Sequence, residues 1–314
     1  MLTPTLQNIE NIYPDSEIIL VGTKLSLSIL EGFNFSKEHI LNRKGNRFKN
    51  IYQISKKIGK VDISISFRTS FFSGLLQLLS GAKIRVGRSS FSNRIFLTKA
   101  ISIQKNSHQV EKYLQLLDFT GEEIEKFPLK LKFKARVFEK PTLGINAGAT
   151  YGSAKRWYPE KFAEVIKALS NQYDITLFGG ENEIDINRDI ESQVLKAGIT
   201  NIRNLAGKTS IRELAENIGG LSLFITNDSG PMHIAGAYQI PTVAIFGSTD
   251  HTETDQWKNP FSRIVRKEIS CSPCKKRECP LKHHECMKMV SPEDVLKEIE
   301  TLKQYIKKDK NVIG

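Results

Sequence analysis

Two stretches of this sequence combine small residues, hydroxyls and charge in a way that suits phosphate chemistry. The first, GINAGATYGSAKRW from Gly144 to Trp157, runs from a strand candidate through small residues to two cations and then to Pro159. Small residues let backbone N–H groups approach a phosphate, and Lys155 can neutralise its charge. Lys155 does not directly follow Gly152, so this is not the phosphate loop of nucleoside triphosphatases. The second, TNDSGPMHIAGA from Thr226 to Ala237, ends a buried strand at Asn227 and Asp228, turns at Ser229 and Gly230, and begins a helix at Pro231. Free N–H groups at that helix start, with the positive end of its dipole, form a diphosphate cradle. Asp228 can accept hydrogen bonds from ligand hydroxyls, and His233 lies about one turn into the helix, where it can face the same cavity. Plainer roles are open to the same residues: a tight strand-to-helix turn, a helix cap at Asp228, a solvated histidine at His233.

Rigid elements must hold these loops, and the sequence supplies them. Strand candidates fall at Ile18 to Gly22, Val61 to Phe67, Lys83 to Gly87, Thr142 to Asn146, Asp174 to Phe178, Leu221 to Thr226 and Thr242 to Phe246. Helical periodicity covers Val110 to Leu117, Pro159 to Ser170 and Ile211 to Ile218. Ser210 with Glu213 forms a capping box, and Ser291-Pro292-Glu293-Asp294 opens a C-terminal helix. Alternating strands and helices predict parallel sheets covered on both faces. From Lys126 to Pro141 the chain turns Lys-rich and irregular, which reads as an inter-domain crossing. The expected architecture is α/β, with two doubly wound, Rossmann-like domains at residues 1–140 and 141–314.

Lys and Arg number 46 against 34 Asp and Glu, a net charge of +12 that favours an anionic partner such as a phosphorylated substrate, an anionic membrane surface or nucleic acid. No apolar run reaches the roughly 20 residues that cross a bilayer, and the opening residues carry no export signal, so the expected location is the cytoplasm.

GATYGSAKRWYPEKFAEVI, LFGGENE, NDSGPMHIAGAYQIPTVAIFGSTD and CPLKHHECM follow one another in the order of family motifs. From Leu143 to the last helix the chain resembles the ADP-heptose:lipopolysaccharide heptosyltransferases, glycosyltransferase family nine. Its Cys-rich tail is similar to the heptosyltransferase II branch in particular. DISISFRTSFFSGLL and HQVEKYLQLL in the first half are also similar to family segments. The resemblance implies a GT-B fold whose N-terminal domain binds acceptor and whose C-terminal domain binds nucleotide sugar, the two facing a cleft. It implies transfer of heptose from ADP-L-glycero-D-manno-heptose to the lipopolysaccharide inner core, with inversion and without a metal or other cofactor.

Carried over by position, Thr150, Tyr151 and Lys155 would meet the diphosphate, with Lys155 stabilising the departing ADP. Asp228, Ser229, Gly230 and His233 would hold phosphates and sugar, and one of Glu181 and Glu183 would contact the nucleoside. The implied acceptor is Kdo-lipid A or a heptosylated inner core, reached by peripheral contact with the inner membrane of a Gram-negative bacterium. Basic residues of the first half, including Lys56, Lys57, Arg68, Lys83, Arg85 and Arg88, suit its carboxylates and phosphates, and Arg68, Ser70 and Arg88 are the acceptor candidates.

Family members usually begin with a strand and a Gly-Asp turn ahead of a Met-x-Thr-Pro-like segment, and this sequence begins at that segment. The expected general-base Asp therefore lies before Met1, along with a central strand of the first sheet. A general base contributes typically about 100- to 10,000-fold. Asp15 and Asp62 do not occupy the matching turn, and no catalytic base is assigned.

Cys271, Cys274, Cys279 and Cys286 lie with His283 and His284 in a short stretch that is zinc-like in composition but tighter in spacing than most structural zinc sites. Reduced thiols in a compact loop are the other reading. Two rivals to transfer remain at this level. A catalytically inactive GT-B protein would bind nucleotide sugar or lipopolysaccharide precursor. A nucleic-acid binder would account for the charge, but the sequence carries no recognised nucleic-acid motif.

Overall fold

The computed structural model describes residues 1–42 and 45–313, with side chains described up to residue 309. The chain divides into two compact units, Met1–Lys132 and Phe133–Gly314. Residues 121–141 carry no helix or strand. The first part of this crossing lies on unit 1: Asn8 Oδ1 accepts from the Glu125 N–H (2.8 Å) and Thr3 Oγ1 from that of Lys130 (3.1 Å). Beyond Lys132 it belongs to unit 2, where the Arg136 N–H donates to the Glu216 carbonyl (2.8 Å) and the Tyr238 hydroxyl to that of Phe133 (3.1 Å).

The described residues of unit 1 form five strands: β1 (Ile19–Gly22), β2 (Lys37–Ile40), β3 (Ile63–Ser66), β4 (Ile84–Arg88) and β5 (Lys99–Ile101). They form two separate parallel sheets, β1-β2 and β3-β4-β5. The helices Thr3–Ile12, Arg47–Ile58 and Phe71–Leu79 accompany them. The helical stretch expected from Val110 to Leu117 is an α-helix at Gln109–Leu114 continued as a 3-10 helix over Gln115–Thr120, with Val110, Leu114 and Leu117 buried.

Unit 2 is a six-stranded parallel sheet of β6 (Thr142–Asn146), β7 (Asp174–Phe178), β8 (Ile202–Asn204), β9 (Leu223–Asn227), β10 (Thr242–Ile245) and β11 (Ser262–Val265). Across the sheet they run β11-β10-β9-β6-β7-β8. Strand alternation sends Leu143, Ile145, Ile175, Leu177, Leu223, Ile225, Val243 and Ile245 into one core, where they meet Phe162, Val165 and Ile166 of helix Pro159–Leu169 and Val295, Ile299 and Leu302 of helix Pro292–Ile313. Phe178 and Phe224 project to the opposite face and pack edge-on, 6.3 Å between ring centres. Apolar residues on both faces are what a covered parallel sheet requires.

The capping box forms as the sequence predicts: Glu213 N–H donates to Ser210 Oγ (3.2 Å) and Ser210 N–H to Glu213 Oε2 (2.8 Å). Ser210→Ala is expected to lower the stability of unit 2 by about 1 kcal/mol, read as a reduced denaturation midpoint at constant denaturant slope.

Candidate functional site

In unit 2 the order of strands reverses between β6 and β9, and at such a switch point the loops leaving the two carboxyl ends flank a ligand crevice. The loop after β6 is the first stretch singled out above, and the loop after β9 is the second. Two buried asparagines, the last residues of these strands, tie the loops together. Asn146 Nδ2 donates to Ser229 Oγ (3.0 Å) and to the Gly148 carbonyl (3.2 Å). Asn227 Nδ2 donates to the Ala147 carbonyl (2.7 Å), and its Oδ1 accepts from the Trp157 N–H (3.1 Å). Each buried amide thereby fixes backbone that would otherwise move independently.

Between the loops, Lys155 Nζ lies 2.5 Å from Asp228 Oδ2, with the two side chains only 12% and 4% exposed. Thr249 Oγ1 donates to the same carboxylate oxygen (2.6 Å). This places an ammonium, with two further N–H donors, at the carboxyl edge of the sheet. Beside it starts the helix Gly230–Ala237, whose first residue follows Ser229 with no side-chain cap. Its leading N–H groups and dipole are thus presented to the crevice. A Cβ built on Gly230 would meet no atom within 4 Å, so the helix start borders open space. His233 is half-buried in the first turns of this helix.

Thr150 and Tyr151 are exposed at the tip of the first loop. The Tyr151 hydroxyl donates to the Lys275 carbonyl (2.9 Å), and the Lys155 ammonium and Arg277 guanidinium lie 4.9 and 5.3 Å from its ring centre. The Ala154 N–H donates to the Arg277 carbonyl (3.0 Å) and that of Lys275 to the Ser248 carbonyl (2.7 Å). The Cys-rich loop therefore backs the loop after β6, a role that sequence spacing did not reveal.

Of the two glutamates, Glu181 is exposed, whereas Glu183 is buried and accepts from the Gly180 N–H at 2.8 Å. The Glu183 carboxylate lies so close to Gly148 that a Cβ there would come within 2.0–2.3 Å of its carboxyl atoms. Glu183 is therefore the one packed against the first loop.

The four cysteines are free thiols. Together with His283 and His284 they line one small pocket, and Cys271 Sγ is 3.9 Å from His283 Nε2. Among the described residues, no three Cys, His, Asp or Glu side chains are grouped so as to hold a metal ion. Burial, then the neighbouring thiols, push Cys286 up to about 11, so it is an inert thiol at neutral pH.

His284 links this loop to the site. It stands 2.9 Å from the Tyr158 hydroxyl through Nδ1 and 3.3 Å from the Ala154 carbonyl through Nε2, which fits a neutral ring donating from Nε2 and accepting at Nδ1. Burial is the largest cause lowering its pKa. The unfolded chain, titrating near 6.5, then takes up the proton first. This contribution to stability is present above about pH 6.5 and is lost as pH falls through the folded value. The thermal midpoint is expected to drop between about pH 7.5 and about pH 5.5, and His284→Gln to shrink that drop.

In unit 1, Arg68 and Ser70 follow the carboxyl end of β3, and Arg88 ends β4. Ser70 Oγ caps the helix Phe71–Leu79 by accepting from the Ser73 N–H (3.3 Å), while Arg68 and Arg88 are exposed. Arg85 is held by carbonyls, with Nε donating to Phe96 (2.6 Å) and Nη1 to Ala82 (2.7 Å).

A model of glycosyltransferase family 9 (heptosyltransferase) matches residues 51–285. The chain belongs to glycosyltransferase family 9. It is 38% identical to lipooligosaccharide heptosyltransferase 2 of Campylobacter jejuni, over 96% of this chain and 93% of that protein. Two solved structures share its fold. One is Escherichia coli ADP-heptose lipopolysaccharide heptosyltransferase II, with a TM-score of 0.76 and 23% identity over 97% of this chain and 94% of that one. The other is the glycosyltransferase family 9 protein of Veillonella parvula, with a TM-score of 0.81 and 23% identity over 96% and 92%. The family 9 chain is thus a GT-B glycosyltransferase, as its motifs predict. No helix among the described residues is long and apolar enough to cross a membrane.

Proposed function

We propose that this chain is an inverting heptosyltransferase that moves heptose from ADP-L-glycero-D-manno-heptose to the inner core of lipopolysaccharide. The observation that carries the reading is the Lys155–Asp228–Thr249 cluster beside an uncapped helix start, at the switch point of the unit 2 sheet. The 38% identity to a lipooligosaccharide heptosyltransferase 2 supports the choice of sugar and acceptor class.

In this account the diphosphate lies across the start of helix Gly230–Ala237. The Lys155 ammonium, Thr150, Tyr151 and Ser229 contact its oxygens, Gly230 gives it room, and Asp228 and His233 face the sugar. Glu183, held against Gly148, is the glutamate that this reading assigns to the nucleoside, and Glu181 is exposed. An acceptor hydroxyl, giving up its proton to solvent, attacks the anomeric carbon from the side opposite the diphosphate, the bond from that carbon to the diphosphate oxygen breaks, and ADP leaves. Negative charge grows on the departing oxygen, where Lys155 and the helix N–H groups are already oriented, so no rearrangement is needed to stabilise it.

Unit 1 takes the acceptor, Kdo-lipid A or a heptosylated inner core, with Arg68, Ser70 and Arg88 meeting its anionic groups. A lipid-linked acceptor brings the protein to the cytoplasmic face of the inner membrane. Exposed Phe48 and Tyr52, among Lys49, Lys56 and Lys57 on helix Arg47–Ile58, suit an anionic bilayer surface. Calorimetric titration with ADP and with UDP tests the donor site. Binding of ADP in preference to UDP, lost on Lys155→Met, is the expected outcome; equal affinity in the variant would remove Lys155 from the site.

A further inference from the structure

The crevice between the loops after β6 and β9 holds less positive charge than a nucleotide sugar calls for. Each phosphate of such a donor carries a negative charge, and the diphosphate gains more as it leaves. Lys155 brings an ammonium, but the Asp228 carboxylate stands 2.5 Å from it, so the pair is close to neutral. The start of helix Gly230–Ala237 adds only about half an elementary charge. A diphosphate at this place therefore draws on a further cation whose charge no carboxylate already holds.

The Cys-rich loop carries three consecutive cations, Lys275, Lys276 and Arg277. Lys275 Nζ is paired with Glu253 Oε2 at 3.0 Å. Among the described residues the Arg277 guanidinium forms no ion pair and donates no hydrogen bond, and its side chain is exposed. Its backbone, by contrast, is fixed. The Arg277 carbonyl accepts from the N–H of Ala154, the residue before Lys155, at 3.0 Å, and it leaves no room for a Cβ on Gly152. Arg277 is thus held against the turn that leads to Lys155. Its guanidinium carbon lies 5.3 Å from the Tyr151 ring centre, and Lys155 Nζ lies 4.9 Å from the same centre. The Tyr151 hydroxyl is anchored on the Lys275 carbonyl (2.9 Å), so the ring stays between its own loop and the Cys-rich one. Cations from two separate loops therefore converge on one ring. Gathering like charges in this way costs energy that an anion bound beside them offsets.

We propose that Arg277 is a second cation of the donor site, and that its guanidinium pairs with the diphosphate of the nucleotide sugar. The assignment rests on the donor-site reading above and adds to it a residue from the Cys-rich loop. The planar guanidinium fork donates two parallel N–H bonds to a phosphate, a geometry that an ammonium does not match. Lys155, 12% exposed, meets the anion from the sheet side, and the exposed Arg277 side chain meets it from the solvent side. Arg277 holds the diphosphate before and after the sugar departs. It therefore contributes to affinity for donor and for ADP more than to turnover, and its loss raises KM more than it lowers kcat.

Calorimetric titration with ADP and with adenosine, on the wild type and on Arg277→Gln, Arg277→Lys and Lys276→Gln, tests this. Arg277→Gln is expected to weaken ADP binding by about 10- to 100-fold, the range for losing a hydrogen bond between charged groups. Affinity for adenosine, which has no phosphate, should not change. Arg277→Lys should recover part of the loss. Lys276→Gln removes the same charge one position away and should leave ADP affinity as it was. The thermal midpoint of Arg277→Gln should match the wild type, because the loop is anchored through the Arg277 carbonyl and not through its side chain. Unchanged ADP affinity in Arg277→Gln would overturn the proposal. So would an equal loss in Lys276→Gln, which would mean a general field, or a parallel loss of adenosine, which would mean a displaced loop. A wild type that binds no ADP would remove both this assignment and the donor site. ADP binding that depends on Lys155 and not on Arg277 would remove this assignment alone.

Discussion

Lys155→Met is expected to lower turnover by about 10²- to 10³-fold, the range for loss of one preorganised group that stabilises charge in the transition state. The same substitution leaves the Asp228 carboxylate, 4% exposed, without its cation. Removing one partner of a buried ion pair costs about 3–5 kcal/mol, so unit 2 should also unfold at a markedly lower midpoint. The two effects separate in the double variant Lys155→Met with Asp228→Asn. An amide in place of the stranded carboxylate still accepts from Thr249, and stability should largely return while turnover does not. Denaturation curves and steady-state rates on the same preparations read both quantities. Recovery of turnover along with stability would mean that Lys155 acts only on the fold.

The second large effect is expected from Gly152→Ala. A Cβ at this position would stand 2.1 Å from the Arg277 carbonyl oxygen and 2.7 Å from its carbon, which are backbone atoms with little freedom to yield. The methyl must separate the loop after β6 from the Cys-rich loop, breaking the Ala154 N–H bond to Arg277 and drawing Tyr151 off Lys275. Overpacking of this kind costs about 1–3 kcal/mol, and a displacement of about 1 Å in a positioning loop lowers turnover by about 10²-fold. Gly230→Ala is the contrasting case, because its methyl would enter open space. It should leave the thermal midpoint unchanged and weaken ADP binding selectively, since the methyl occupies the room that the proposed function gives to the diphosphate.

The central strands were legible in the sequence because burial on both faces makes them short, continuous apolar runs. Thr142–Asn146 and Asp174–Phe178 form with the bounds their residues predict. Edge strands were not. Lys37–Ile40 is largely exposed and polar, and its segment reads as Lys-rich helix-compatible sequence until pairing with β1 shows otherwise. Lys99–Ile101, Ile202–Asn204 and Ser262–Val265, each at the border of its sheet, were not read as strands either. Loop chemistry drew attention to Lys155 and Asp228 separately, but their pairing spans 73 positions and depends on β6 lying beside β9. Asn146, Asn227 and Thr249 went unassigned for the same reason, since a buried side chain that ties two loops carries no local signature. Spacing alone left Glu181 and Glu183 equivalent; the capping bond to Gly180 and the close approach to Gly148 distinguish them.

The most direct measurement is transfer itself. Purified protein, ADP-L-glycero-D-manno-heptose and an inner-core acceptor lacking the heptose would be incubated together and the acceptor examined by mass spectrometry, with released ADP quantified in parallel. The account predicts an acceptor heavier by one heptose residue, one ADP released per transfer, and an inverted anomeric linkage. An acceptor left unmodified, or transfer from a different nucleotide sugar in preference, would contradict it.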